Sequence, residues 1–215
     1  NDKVPAEALA PVSCGTATAW AALDAARSVV PLDGARVLVT GAGLIGVTAA
    51  AMAQEAGATV VVSDPDAARR ERARRFGAVA VLDPTAPTAS VDLGQASGGD
   101  GFDVVVEASG SPAAVAAALG AAGVGGVVVL VGSVFPTDPV GLDPEGVVRR
   151  LLTVRGVHNY TARHLADATD FLVRNLDVYP FAALVGATLP LGRLDDAIEI
   201  AHRDGHVRVA VDPRV

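Results

Sequence analysis

The chain has 215 residues and a formal net charge of -7 at pH 7, and this acidic balance argues against nucleic acid as a partner. Hydrophobic residues make up 51% of the sequence and aromatic residues only 4%. The predicted core is therefore built of Ala, Val and Leu, the usual filling of a parallel sheet that is covered by helices.

Membrane insertion and disulfide bonding are both disfavoured by the sequence. No apolar run approaches the roughly 18 residues needed to cross a bilayer, and the N-terminus lacks the pattern of a signal peptide. Cys14 is the only cysteine, which excludes an internal disulfide. We therefore expect a cytoplasmic protein with no membrane partner. Because the chain opens at Asn1 without a methionine, we also expect a further segment to precede it.

Helical patterns alternate with short apolar runs along the chain. Helices are predicted over 11–26, 44–55, 66–76, 112–119, 161–175 and 194–202, and strands over 37–40, 59–62, 79–82, 102–107, 126–131, 151–157, 185–189 and 207–211. The polar stretch 83–101 is expected to hold a weak helix at most. Parallel strands joined by helices require right-handed crossovers, so the first six strands predict an α/β fold with a doubly wound, six-stranded parallel Rossmann sheet.

A glycine-rich turn separates the first strand from the second helix. Gly41, Gly43 and Gly46 form the pattern G-x-G-x-x-G immediately after the apolar run 37–40. Gly41 can supply the tight turn, Gly43 lets a phosphate approach the backbone, and Gly46 lets the helix pack close to the sheet. The unpaired N–H groups at the helix N-terminus favour a pyrophosphate.

An acidic residue follows the second strand at the expected distance. Asp64 comes 18 residues after Gly46, where a carboxylate can accept hydrogen bonds from a ribose diol and would repel the extra phosphate of NADP. An alternative interpretation is that Asp64 caps the following helix, a role that Asp66 can also fill. The order of strand, glycines, helix, strand and acid predicts a dinucleotide site, with NAD favoured.

The arginines that follow Asp64 have a simpler interpretation. Five of them share one predicted helix with Glu71: Arg69, Arg70, Arg72, Arg74 and Arg75. A solvated helix face explains most of them.

Several segments together resemble the second half of a zinc-containing medium-chain alcohol dehydrogenase. They are CGTATAW from Cys14, GAGLIG from Gly41, Asp64, EASGS from Glu107, LVGS from Leu130, RGVHNY from Arg155 and HVRVAVDP from His206. The resemblance covers nearly the whole chain. The segment HNYT from His158 is similar to a subgroup associated with phosphonate catabolism.

The resemblance implies roles for two residues near the N-terminus. Cys14 would be one thiolate ligand of a catalytic zinc, and Thr18 would lie one helical turn further on, beside the nicotinamide, as the catalytic side chain. Without the resemblance, a lone cysteine on an alanine-rich helix is usually a small apolar residue. The four histidines lack metal-ligand spacing as a set.

The resemblance also assigns contacts to the cofactor. Leu44 and Ile45 would offer backbone N–H groups to the pyrophosphate, and Arg69 would meet the same ribose edge as Asp64. The remaining cofactor contacts are Ser109 and Gly110 on the adenine side, Val131, Gly132 and Val157 at the carboxamide, and Arg208 at the pyrophosphate. Arg208 has a simpler alternative as a surface salt-bridge partner.

The family pattern divides the chain into three parts. Residues 1–15 would end a catalytic domain and its linker, 16–158 would form the NAD-binding Rossmann domain, and 159–215 would return toward the catalytic domain. We expect that catalytic domain to be GroES-like and to precede Asn1. It would supply further zinc ligands, because a catalytic zinc needs three protein ligands and an open position.

These assignments imply an NAD-dependent oxidoreductase that transfers a hydride between a small alcohol or aldehyde substrate and NAD, with zinc as Lewis acid. This chain alone is expected to bind NAD and to turn over little alcohol. Two alternatives are a zinc-free, NADPH-dependent quinone or enoyl reductase, which Cys14 and Asp64 disfavour, and a non-catalytic NAD-binding module. The resemblance also implies a homodimer or homotetramer that pairs through an edge strand of the sheet, for which 151–157 is the candidate.

Overall fold

The computed structural model describes residues 4–203 and 205–214. Its strands are β1 Arg36–Thr40, β2 Thr59–Ser63, β3 Ala80–Leu82, β4 Phe102–Glu107, β5 Ala122–Leu130, β6 Thr153–Gly156, β7 Val185–Pro190 and β8 Arg208–Asp212. Its α-helices are α1 Ala6–Leu9, α2 Ala17–Arg27, α3 Leu44–Glu55, α4 Ala67–Arg74, α5 Ala89–Ala96, α6 Pro112–Ala121, α7 Pro144–Arg149, α8 Ala162–Arg174 and α9 Leu194–Arg203. Short 3₁₀ turns cover Phe181–Leu184 and Leu191–Arg193.

Six strands form one parallel sheet in the order β3-β2-β1-β4-β5-β6. The strand order reverses between β1 and β4, so the carboxyl ends of these two strands open a crevice between the helices on opposite faces. This arrangement confirms the predicted doubly wound α/β fold.

The strands are buried on both faces, as their continuous apolar runs predicted. Along β1, Val37 and Val39 face the larger core, which α2, α3 and α8 cover, while Leu38 faces a smaller core beneath α6. Both faces are filled largely by Ala and Val. A helix rich in Ala, such as α3, can approach the sheet closely because its buried face is nearly flat.

Three helical segments differ from the sequence prediction. The segment predicted to be weakly helical at most contains the two-turn helix α5, and the short helix α7 was not predicted. The helix predicted over 11–26 begins with a π-helical turn, Val12–Thr16. In that turn the carbonyl of Pro11 accepts hydrogen bonds from the N–H groups of Gly15 at 2.8 Å and Thr16 at 3.3 Å.

The C-terminal part of the chain divides into two packing environments. Helix α8 begins with a capping box between Thr161 and His164 and contributes Phe171 and Leu172 to the larger core. Beyond it, β7 and β8 form a separate parallel pair. Helix α9 contacts this pair and leaves Leu194 and Ile198 about half exposed, at 47% and 50%.

The division of the chain into three parts stays a prediction, and residues 1–3 of the first part lie outside the described residues. Within the described part of the chain, no helix is both long and apolar enough to cross a membrane.

Candidate functional site

The glycine-rich turn between β1 and α3 has three glycines with three different local requirements. Gly41 adopts a φ of 95°, which disfavours other residues. A Cβ atom on Gly46 would overlap the carbonyl oxygen of Gly41 and approach Val39 Cγ1 to 3.3 Å. Gly43 has an ordinary φ of -76°, and no atom of the described residues lies within 4 Å of the position its Cβ would take. Gly43 therefore leaves open space where a ligand can approach the backbone.

The N-terminus of α3 is prepared for an anion. Gly43 is its N-cap residue and has no side chain to satisfy the first-turn N–H groups, and the first turn carries no acidic residue. The N–H groups of Leu44, Ile45 and Gly46 have no helical acceptor in front of them. Together with the helix dipole, these donors favour a phosphate.

Asp64 connects the end of β2 to this turn. Its side chain is only 4% exposed; Oδ2 accepts the N–H of Ala42 at 2.7 Å and Oδ1 accepts the N–H of Asp66 at 2.8 Å. Each carboxylate oxygen has two acceptor positions, so both oxygens keep one for a ligand hydroxyl.

The capping role considered for Asp64 belongs to Asp66. Asp66 is the N-cap of α4 and accepts the N–H of Arg69 at 2.9 Å. This backbone hydrogen bond lowers the pKa of Asp66 below its usual range. The alternative raised by the sequence is thereby resolved, because a different carboxylate caps the helix.

A crevice of about 440 Å³ opens at the carboxyl ends of β1, β2 and β4. Five of the predicted cofactor-binding residues line it: Gly41, Gly43, Asp64, Arg69 and Ser109. The sequence analysis did not identify the other lining residues, which are Thr40, Ser63, Pro65, Pro84, Thr85, Ala108, Ser111, Ala113, Ala114 and Ala117. These residues could have been found from their place in the chain, because most of them end a parallel strand or begin the segment after it.

The loop after β4 forms one wall of this crevice and is held from below by Glu107. Glu107 is fully buried. Its Oε1 atom accepts the N–H of Ser109 at 2.8 Å, the hydroxyl of Ser109 at 2.6 Å and the N–H of Gly110 at 2.9 Å. The same loop packs against two glycines: a Cβ on Gly41 would lie 2.9 Å from Ser109 N, and one on Gly132 would lie 2.6 Å from it.

The residues predicted to meet the carboxamide lie at the ends of the next two strands. The N–H groups of Val131 and Gly132 both donate to the carbonyl of Glu107 at 2.9 Å, and the N–H of Val157 donates to the carbonyl of Leu130 at 2.9 Å. These residues share the carboxyl edge of the sheet with the crevice, but they do not line it.

Cys14 lies in the π-helical turn that precedes α2, and Thr18 lies in the first turn of α2. Cys14 is exposed within the π-helical turn, and the neighbouring Gly15 lies against the side chain of Leu44, the first residue of α3. Thr18 is buried, at 7% exposure. In residues 4–203 and 205–214, no group of three or more His, Cys, Asp or Glu side chains could hold a metal. Cys14 alone therefore does not form a zinc site.

The predicted arginines occupy different surroundings. Arg69 is half-buried at the crevice, whereas Arg70 pairs with Asp83 at 3.1 Å and donates to the carbonyl of Asp64 at 2.8 Å. Burial lowers the pKa of Arg72, and the nearby charge of Arg69 adds to this effect. Arg208 is exposed on β8 and does not line the crevice.

Known proteins share both the sequence pattern and the fold. Residues 45–174 match the family described as "Zinc-binding dehydrogenase". An L-threonine 3-dehydrogenase of Saccharopolyspora erythraea is 39% identical over 187 residues, which cover 85% of this chain and 52% of that protein. The matched stretch covers between 37% and 52% of the length of that protein and two further L-threonine 3-dehydrogenases.

Solved structures show the same architecture. An alcohol dehydrogenase of Thermotoga maritima superposes with a TM-score of 0.90 at 24% identity, over 98% of this chain and 58% of that one. A zinc-binding dehydrogenase of Sinorhizobium meliloti, solved with NADP, gives a TM-score of 0.80 at 26% identity, over 95% of this chain and 58% of that one. With the family match spanning more than half of its residues, this chain belongs to the zinc-binding dehydrogenase family.

Proposed function

We propose that this chain is the cofactor-binding part of an NAD-dependent dehydrogenase that moves a hydride between a small alcohol and NAD. One observation carries the proposal: the glycine-rich turn and Asp64 line the same crevice of about 440 Å³. The N–H of Ala42 in this turn donates a hydrogen bond to Asp64. This crevice lies at the switch point of the sheet, where dinucleotides bind in this architecture.

The chain's own residues bind and orient the cofactor in this proposal. The N–H groups of Leu44 and Ile45 receive the pyrophosphate, and the open space above Gly43 admits it to the backbone. Asp64 accepts the ribose diol through its remaining lone pairs, while Arg69 lies along the same ribose edge. The loop at Ser109 and Gly110 borders the adenine.

The remaining contacts follow the carboxyl edge toward the reacting end of the cofactor. Val131, Gly132 and Val157 present backbone groups to the nicotinamide carboxamide, and Thr18 lies beside the ring. Arg208 reaches the pyrophosphate from β8. When bound, NAD supplies the hydride acceptor, and the protein fixes the distance between the two reacting carbons.

The carboxylate of Asp64 is the reason for proposing NAD over NADP. A 2′-phosphate on the adenosine ribose would meet the buried carboxylate of Asp64, to which no cationic side chain of residues 4–203 or 205–214 is hydrogen-bonded. Repulsion between like charges in a partly desolvated site is costly. The side-chain charge of Arg69 lies at the same crevice and moderates this repulsion, so a direct comparison of the two dinucleotides is required.

For the metal, we propose that Cys14 supplies one thiolate and that the other ligands come from the rest of the longer protein. The exposed position of Cys14 beside the start of α3 supports this role. The described residues alone do not complete a zinc site.

The names of the relatives support a proposal for the substrate class. L-Threonine, named for the matched curated dehydrogenases, carries a secondary hydroxyl group. This supports a small polar alcohol, or the corresponding carbonyl compound, as the substrate. Membership of the subgroup associated with phosphonate catabolism is a finer proposal, based on the segment from His158 to Thr161.

Calorimetric titration with NAD and with NADP tests the cofactor proposal. We expect the chain to bind NAD more tightly, and we expect Asp64→Ala to weaken NAD binding by about tenfold or more, because hydrogen bonds to a charged acceptor are lost. Asp64→Asn keeps an acceptor for the N–H of Ala42 and removes only the charge. A comparison of the two variants therefore distinguishes the effect of a disturbed turn from the effect of the lost charge.

Asp66→Ala is the matched control, since it removes a carboxylate two residues away that does not line the crevice. Equal NAD affinity in the wild type and both Asp64 variants would refute the assigned role of Asp64. No binding of either dinucleotide by the folded chain would refute the proposed function.

For the assembly, we propose a homodimer or homotetramer that pairs through the outer edge of β6. Exposed apolar side chains surround this edge, including Val148 at 71%, Leu151 at 70% and Val154 at 42%. Light scattering after gel filtration gives the mass directly. A monomer at micromolar concentration, or an oligomer that Val154→Lys does not weaken, would contradict pairing at this edge.

A further inference from the structure

Glu107 is a buried acid to which the cofactor contacts above give no role. It ends β4, is fully buried, and lies directly beneath the loop that borders the adenine side of the crevice. We infer that Glu107 is a positioning residue that fixes this loop and so shapes the adenosine subsite. The inference rests on the proposed dinucleotide function and adds a residue to it.

The first observation is that one carboxylate oxygen of Glu107 accepts three hydrogen bonds from the loop. Oε1 accepts the N–H of Ser109, the hydroxyl of Ser109 and the N–H of Gly110, at 2.6 to 2.9 Å. The Ser109 hydroxyl in turn accepts the N–H of Ser111 at 3.1 Å, which extends the network to the N-cap residue of α6. The conformation of the loop therefore depends on one side-chain atom.

The second observation concerns what the loop offers to a ligand. Three hydrogen-bond donors of Ser109 and Gly110 point to Glu107 and are unavailable to the crevice. Beside this loop, the crevice is lined by four alanines: Ala108, Ala113, Ala114 and Ala117. A wall in which these three donors are occupied and most side chains are small and apolar, with Ser111 as the polar exception, is suited to the face of a flat base.

The third observation is the close packing around the loop. The backbone of Ser109 contacts both Gly41 of the glycine-rich turn and Gly132 after β5, each at a distance that excludes a Cβ. A loop that shifts by a fraction of an ångström must therefore disturb the pyrophosphate turn as well. By holding this loop, Glu107 affects the backbone that follows β1, β4 and β5.

The fourth observation is the other carboxylate oxygen. Oε2 of Glu107 is buried and has no hydrogen-bond partner among the described residues, and the same is true of Thr40 Oγ1. Thr40 and Glu107 are paired in the register of β1 and β4, so their side chains share one face of the sheet. These two oxygen atoms do not hydrogen-bond to each other or to any other described residue, and Thr40 lines the crevice. An acid that stabilised the core alone would not be expected to leave a buried oxygen unpaired.

The test compares Glu107→Ala with Glu107→Gln by titration of the 215-residue chain with NAD and with ADP-ribose, which lacks the nicotinamide. Glutamine keeps the Oε1 acceptor without the charge. We expect Glu107→Ala to weaken both ligands by a similar factor of about ten or more, and Glu107→Gln to restore both to within about threefold of the wild type. Ser109→Ala removes only the hydroxyl and should give a smaller loss of about two- to fivefold.

Tyr179→Phe serves as the control for general destabilisation, because Tyr179 bonds Glu55 away from the crevice. It should lower the melting temperature without changing either affinity. The positioning role is refuted if Glu107→Ala binds ADP-ribose like the wild type, or if Glu107→Gln is as weak as Glu107→Ala. If Glu107→Ala does not fold, Ser109→Ala decides: unchanged ADP-ribose affinity in that variant also overturns the inference. Absence of binding by the wild type would instead count against the proposed function.

Discussion

The glycines of the β1–α3 turn permit one prediction that separates folding from binding. Gly43→Ala and Gly46→Ala add the same methyl group three residues apart, at the N-cap of α3 and within its first turn. At Gly43 the methyl enters open space with an allowed φ, whereas at Gly46 it overlaps the backbone carbonyl of Gly41. We expect Gly43→Ala to lose cofactor binding with little loss of stability, and Gly46→Ala to lose stability.

The magnitudes follow from the local structure. Overpacking costs about 1–3 kcal/mol, and at Gly46 the obstructing atom belongs to the backbone and cannot rotate away. The gain in helix propensity from Gly to Ala offsets about 1 kcal/mol of this. The net loss of about 0–2 kcal/mol should lower the melting temperature by as much as about 8 °C in a chain of this size. Gly43→Ala replaces one N-cap residue by a poorer one and should change stability by about 1 kcal/mol or less.

Thermal unfolding and calorimetric titration with NAD provide the two measurements. Gly120→Ala is the control, because Gly120 lies in α6 with no atom within 4 Å of its Cβ position; it should keep or raise the melting temperature and leave NAD affinity unchanged. For Gly43→Ala we expect NAD affinity to fall by tenfold or more, since a methyl group would occupy the path of the pyrophosphate. Wild-type affinity in Gly43→Ala would refute the placement of the pyrophosphate on this turn.

Three further predictions concern stability. Asp66→Ala removes the N-cap of α4 and should lower the free energy of unfolding by about 1 kcal/mol. Because folding lowers the pKa of Asp66, this loss of stability should be present above the unfolded pKa of 3.8 and should vanish as the pH falls through the lower folded pKa. Urea unfolding of both proteins at pH 6 and at pH 3 tests this. Tyr179→Phe removes the 2.9 Å hydrogen bond to Glu55 and should lower the free energy of unfolding by about 1–2 kcal/mol, measured in urea. Burial raises the pKa of Tyr179, so the absorbance change of its phenol should appear above the usual pH range of tyrosine. Arg150→Met removes the guanidinium that donates to three carbonyls at the end of α6 and should cost about 1–3 kcal/mol, whereas a surface control, Arg149→Met, should change the unfolding midpoint little.

The sequence predicted the fold well where short-range chemistry sets the boundaries. Helix α3 was predicted to the residue, because a glycine turn precedes it and an Ala-Gly pair follows it. Helix α7 was missed because six residues are too few to show a helical period, although Asp143 and Pro144 are a typical N-terminal pair. The π-helical turn around Cys14 was not predictable, since it depends on how three N–H groups share the carbonyl of Pro11.

The candidate site was predictable only in part. The fingerprint glycines and Asp64 have a pattern in the sequence, and the structure brings Gly41, Gly43 and Asp64 together at one crevice. The bond between Asp64 and Ala42 depends on the register of β1 against β2, which periodicity does not give. Glu107 did have a signal, because an acid at the end of a fully apolar strand needs partners, but only the structure shows which loop supplies them.

The hydrogen bond between Asp64 and the N–H of Ala42 has a consequence for the energetics of association. It ties the ribose end of the crevice to the phosphate end before any ligand arrives, so the turn loses its conformational freedom when the chain folds and not when the cofactor binds. Preorganisation of this kind raises affinity without any added contact. It also couples the two ends of the crevice thermodynamically. A substitution of Asp64 should therefore weaken the binding of free pyrophosphate, although that ligand does not contact the ribose position.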